Sequence, residues 1–100
     1  MAEALVLEFD GNVGRAEYDK VNGLLGIDPT TKDSDWPDGL LSHASGPTDT
    51  GWIVIETWSS REANEAFMAG RLGKALGEAG VPAPTRATWS TLVTNTTVVG

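Results

Sequence analysis

An α+β fold with the element order β-α-β-β-α-β is predicted for this 100-residue chain by three observations. Val, Ile and Trp concentrate in GWIVIETW (51–58), as they do on pleated, half-buried surfaces. The turn-forming run Gly46-Pro47-Thr48-Asp49-Thr50-Gly51 joins that segment to a preceding strand, and a helix-start pattern follows Trp58 with almost no spacer. The whole stretch Gly39 to Ala63, GLLSHASGPTDTGWIVIETWSSREA, thus reads as strand, tight turn, strand and capped helix.

The remaining elements follow in order. Ala4 to Phe9 is short and apolar, with Leu5, Leu7 and Phe9 on one face and Val6 and Glu8 on the other, which predicts a first strand. Asn12 is placed to cap a helix from Val13 to Leu25, whose side formed by Val13, Tyr18, Val21, Leu24 and Leu25 faces inward, and Gly26 is placed to end it. Residues 26–39, GIDPTTKDSDWPDG, form a long acidic loop with Trp36 as its only large anchor. The spacing of Asp33, Asp35 and Asp38 lacks the glycine and distal glutamate of a calcium loop, so a solvated loop is expected.

Ser59 and Glu62 stand in capping-box spacing and predict a helix start. Along that helix Ala63, Ala66, Phe67 and Gly70 fall on one side, whereas Met68, Leu72, Ala75, Leu76 and Ala79 fall nearly opposite at about 100° per residue. One straight helix cannot bury both sets. A break near Gly70 is therefore predicted, with a second short helix from Arg71 to Ala79 ended by Gly80. Val81-Pro82-Ala83-Pro84 is an extended connector, and the Thr- and Val-rich run from Thr85 to Val99 reads as a last long strand.

Length and 40% apolar content with four tryptophans suit a single domain over residues 1–100, small enough that association would help it. Fourteen acidic against seven basic residues, net −7, disfavour nucleic acid as a partner. The chain contains no cysteine, so no disulfide, thiolate nucleophile or thiolate metal site can form. No apolar run approaches the ~20 residues that cross a bilayer, and MAEALVLEFD carries acids where a secretion signal carries positive charge. A cytoplasmic protein without a membrane partner is expected.

The element order describes a ferredoxin-like unit: a four-stranded antiparallel sheet with helices on one face and a bare opposite face that a second copy could cover. Together with the segment 39–63 and the second-helix tail RLGKALGEAG, it resembles the dimeric α+β barrel superfamily, in particular small proteins akin to antibiotic biosynthesis monooxygenases. That resemblance implies a homodimer, a pocket between sheet and helices in each protomer, and a small apolar or aromatic ligand. It further implies cofactor-independent oxidation of an aromatic or polyketide-like substrate; the alternative is a non-catalytic metabolite-binding or interaction dimer. Haem-binding members of the superfamily use a helix-borne histidine, which the second helix here lacks. No cofactor or metal is expected.

Period two places Leu41, His43 and Ser45 on one face of the second strand, and Trp52, Val54, Glu56 and Trp58 on one face of the third. The Ile53, Ile55 and Thr57 face is expected to be core beneath the helices, with Glu56 and its aromatic neighbours on the opposite face beside Glu8 and His43. There His43 and Glu56 are the candidate proton-transfer pair, and Trp58, Trp52 and Glu8 candidate ligand contacts, around a flat apolar substrate; Tyr18, on the edge of the first-helix stripe, is a further candidate contact whose hydroxyl could face a pocket between helix and sheet. The same polar groups could instead hydrogen-bond across the dimer interface and hold two sheets in register. The chain carries no serine-hydrolase elbow, phosphate-binding glycine loop or zinc-protease motif.

Overall fold

Leu5 and Leu7 alternate with Val6 and Glu8 along β1 (Glu3–Asp10), and in the computed structural model, which describes residues 1–99, this alternation becomes buried against half-buried. The sheet order is β2-β3-β1-β4, with every neighbouring pair antiparallel: β2 is Leu40–Pro47, β3 Gly51–Trp58 and β4 Arg86–Thr91. β1 lies at the centre and pairs with both β3 and β4. The helices cover one face only, so the fold is the ferredoxin-like βαββαβ unit.

α1 (Arg15–Leu25) begins two residues later than expected, because Gly14, not Asn12, is its N-cap: the Glu17 carboxylate turns back to accept from Gly14 N at 2.8 Å. Gly26 ends it in the left-handed conformation, φ 74°, which glycine adopts without a Cβ penalty. α2 (Arg61–Phe67) is likewise capped one residue late. Ser60 Oγ accepts from Ala63 N at 3.1 Å, while Ser59 N donates to Gly39 O at 2.7 Å.

The break at Gly70 is present and takes the form of a π-helical turn over Met68–Leu72, before α3 (Gly73–Ala79). Gly70 has φ −107° and ψ −105°, outside helical space. A π turn inserts one extra residue and so rotates the following stripe around the axis. Ala63 and Phe67 pack inward before it, Met68 and Leu72 at its two ends, and Ala75 and Leu76 after it, which is the phase change the sequence required.

β4 is shorter than the expected Thr85–Val99 strand. Its last ladder pair is Thr91 with Glu3, followed by one bond from Leu92 N to Ala2 O. Val93, Val98 and Val99 are accordingly exposed. Near this end Arg61 and Thr91 hydrogen-bond Glu3 at 2.6 and 2.9 Å, and these contacts hold its carboxyl below the usual carboxylate range.

The faces of β3 are the reverse of those expected from its isoleucines. Trp52, Val54, Glu56 and Trp58 are buried under the helices, whereas Ile53 and Ile55 lie on the open face with Ile55 exposed. Cross-strand pairing explains the choice: Leu5, Leu7 and Phe9 stand opposite Glu56, Val54 and Trp52, so the bulkiest side chains of both strands share the face with room for them. Val6 stands opposite Ile55 on the other side.

Gly39 closes the 26–39 loop onto the start of α2 with φ 87°. A Cβ there would lie 2.6 Å from Ala63 Cβ and 2.9 Å from Ser59 Oγ. Gly39→Ala is therefore expected to cost about 2–4 kcal/mol through backbone strain plus overpacking. Urea unfolding measures it, and a loss under about 0.5 kcal/mol would contradict the packing described.

Candidate functional site

Burial of the Trp52–Trp58 face brings Glu56 beneath the helices. Its direct partner on β2 is His43, and the two side chains point the same way, giving His43 Nδ1 to Glu56 Oε2 at 2.8 Å. Two residues along the same face, Trp58 Nε1 donates to the other oxygen, Oε1, at 3.1 Å. Tyr18 reaches down from α1 and places its hydroxyl 2.5 Å from His43 Nε2.

This network sets the direction of each bond. Indole N–H can only donate, so Glu56 Oε1 accepts from Trp58, and an ionised Glu56 accepts at Oε2 as well. His43 Nδ1–H donates to Oε2, and in the neutral ring that leaves Nε2 to accept from the Tyr18 hydroxyl. Tyr18 lies at the head of a relay Tyr18–His43–Glu56, with Trp58 anchoring its foot. Aromatic rings box it in: Tyr18 stacks on His43 at 5.9 Å and meets Trp52 at 5.1 Å, and Trp36 from the acidic loop packs on His43 at 5.2 Å.

Tyr18, His43 and Glu56 line a cavity of about 80 Å³ between the sheet and the helices. The rest of its wall is mainly apolar, including Leu7, Val21, Leu25, Val54, Phe67 and Leu76. A polar relay at one point of an otherwise apolar wall is an arrangement suited to proton transfer to or from a small organic molecule. Among the described residues no group of three or more His, Asp and Glu side chains could hold a metal ion, and no helix is long and apolar enough to cross a membrane.

Five of the six residues expected at a site come together: His43, Glu56, Tyr18 and Trp52 line the cavity, and Trp58 backs Glu56 from full burial. The location expected for His43, Glu56, Trp52 and Trp58 is corrected, since they face the helices and not the bare sheet face. Glu8 separates from them. Paired with Ile53 on the opposite face, it sits 3.8 Å from Arg86, because its position on β1 has the parity of Val6 and not of Leu7.

Two cavity residues escaped the sequence reading. Trp36 is by sequence only a loop anchor; its indole N–H is held by Thr31 O at 2.9 Å, and its ring packs on His43. Asn22 lies one helical turn after Tyr18, so the i,i+4 spacing on an inward stripe was the signal that could have found it.

No family model matches the chain, and no curated protein sequence matches it. Solved structures do. A candidate antibiotic biosynthesis monooxygenase from Chloroflexus aurantiacus superposes with a TM-score of 0.62 at 16% identity, over 99% of this chain and 100% of that one. Rv0793 from Mycobacterium tuberculosis follows at 0.60 and 14%, over 96% and 98%, and a candidate antibiotic biosynthesis monooxygenase from Deinococcus radiodurans at 0.54 and 17%, over 99% and 98%. The chain shares their fold. At such identities the likeness carries architecture and leaves the chemistry to be argued from the residues.

Proposed function

We propose that this chain forms a homodimer through its bare sheet faces, and that each copy binds a small aromatic hydroxyl compound and oxidises it with dioxygen without a cofactor. The observation that carries the reading is the Tyr18–His43–Glu56 relay in the wall of an otherwise apolar cavity. A substrate hydroxyl donates to the Tyr18 oxygen; as its proton moves to Tyr18, the tyrosine proton passes to His43 Nε2. The Glu56 carboxylate then stabilises the imidazolium through Nδ1–H. The phenolate left behind is the electron-rich species that dioxygen attacks, and phenol plus dioxygen balances as quinone plus water.

The cavity is about half of the ~150 Å³ that accommodates benzene. A one-ring substrate therefore requires one wall to move outward, and Trp36 is the wall residue carried by the loop. The solved relatives named as candidate monooxygenases support oxidation as the reaction to test first. A second reading, binding without turnover, is favoured by one observation: both His43 nitrogens and both Glu56 oxygens already have protein partners.

Oxygen uptake with a one-ring dihydroquinone, corrected for autoxidation, separates the two. Protein-dependent uptake is expected, falling about 10²–10³-fold in both Tyr18→Phe and His43→Ala with the far-UV spectrum unchanged. Uptake equal to the protein-free rate would exclude the oxidation and leave the binding reading.

A further inference from the structure

Asn22 and Trp52 are each more than nine-tenths buried, and both line the cavity. Among the described residues, neither Asn22 Nδ2 nor Trp52 Nε1 has a hydrogen-bond acceptor. Buried donors are paired in the great majority of cases, and an unpaired one carries the full desolvation penalty of its N–H. Leucine in place of Asn22 would fill similar space without that penalty, and phenylalanine in place of Trp52 would keep an aromatic ring there without the donor. Two orphan donors in the wall of one cavity are thus a cost that packing does not explain.

Their position relative to Tyr18 is informative. Asn22 is one turn further along α1, and the Trp52 ring is 5.1 Å from the Tyr18 ring, so both side chains neighbour the residue that heads the relay. The relay offers a ligand an acceptor at Tyr18, and Asn22 and Trp52 are wall residues whose N–H groups have no acceptor of their own.

We propose that Asn22 Nδ2 and Trp52 Nε1 recognise carbonyl oxygen, so that the pocket selects a small aromatic compound carrying both a hydroxyl and a carbonyl. The hydroxyl meets Tyr18, and the carbonyl meets the two donors. This rests on the reading of the cavity as a ligand site. It adds a specificity that the relay alone does not supply, because a site built to hydrogen-bond a polar group discriminates strongly against the analogue that lacks it.

The test uses probes matched in shape: 3- and 4-hydroxybenzaldehyde against 3- and 4-ethylphenol, titrated into the ¹⁵N-labelled protein and its Asn22→Leu and Trp52→Phe variants. In the unaltered protein at least one aldehyde is expected to bind about tenfold more tightly than its ethyl partner, the worth of one hydrogen bond. The indole N–H signal that disappears in Trp52→Phe should shift with the aldehyde and not with the ethylphenol. Each variant should lose the aldehyde preference, read as the ratio of aldehyde to ethylphenol affinity within that variant, and Asn22→Leu should melt a few degrees higher, having lost an unpaired donor.

Equal binding of aldehyde and ethylphenol, or a preference that survives both substitutions, overturns the proposal and leaves the cavity reading intact. An Asn22→Leu chain that unfolds would also overturn it, by showing the amide to be structural. Failure of all four probes to bind at millimolar concentration would instead remove the cavity reading on which the proposal stands.

Discussion

Trp58→Ala is expected to lose about 3–5 kcal/mol of unfolding free energy, the largest single-residue effect on stability in this chain. Trp58 has no exposed surface and packs its indole against Phe67 at a ring separation of 6.0 Å. Truncation opens a cavity at the junction of β3 and α2 and takes the Nε1–H donor away from Glu56 Oε1. Small domains hold only about 5–15 kcal/mol in total, so the variant should melt roughly 15–30 °C lower. Trp58→Phe fills most of the volume and removes only the donor, so its loss should be about 1–2 kcal/mol. Urea and thermal unfolding followed by circular dichroism measure both. A Trp58→Ala loss below about 1 kcal/mol, with a larger one for Ile55→Ala, would mean that β3 presents its other face to the helices.

That choice of face is where sequence reasoning met its limit. Both faces of GWIVIETW are apolar, so alternation locates the strand without orienting it, and the preference of isoleucine for interiors pointed the wrong way. What decides is volume. The helix layer leaves space for two tryptophans beside Leu5 and Leu7, whereas the open face carries Ala4, Val6, Ala44, Ile53 and Ile55, side chains that make a shallow surface. β1 held the needed information, since its larger set, Leu5, Leu7 and Phe9, was legible. The hairpin register that ties this set to Trp52 and not to Ile53 was not.

Elements governed by local chemistry were legible. Gly26 and Gly80 both end helices in the left-handed conformation, and the incompatible stripes on either side of Gly70 required the break that the π turn supplies. Errors came where a local signal had two adjacent solutions or needed a distant partner. Ser59 and Ser60 compete for one cap, and tertiary contact resolves it by giving Ser59 N to Gly39 O. β4 ends at its pair with Glu3, a limit set by the partner strand that no property of LVTNTTVV announces. The candidate site follows the same division: His43 and Glu56 were recognisable as scarce polar groups on strands. Their meeting with Tyr18 depends on the orientation of β3 and so became visible only in three dimensions.

Ile55→Asp is expected to convert a dimer into a folded monomer. Ile55 lies on the open face, close to half exposed, with Val6 directly opposite on β1 and Ala44 on β2, while Ser42 bonds Thr57 across the same face and Glu8 faces Arg86. An apolar patch bordered by polar pairs is the pattern of a protein interface. In a two-fold dimer each substitution enters the interface twice, and a desolvated carboxylate without a partner is strongly unfavourable, so dissociation should rise at least about 100-fold. The same side chain costs a lone chain little, because aspartate would there point into water. Sedimentation at several concentrations checks the shift, with Glu8→Gln as a rim control expected to stay near the unaltered protein. The cavity is lined by residues of this one chain, so the Ile55→Asp monomer should retain ligand binding. An unaltered protein that sediments as a monomer at high concentration would refute the dimer, yet it would leave the Tyr18–His43–Glu56 relay and its cavity untouched, since neither draws on a second copy.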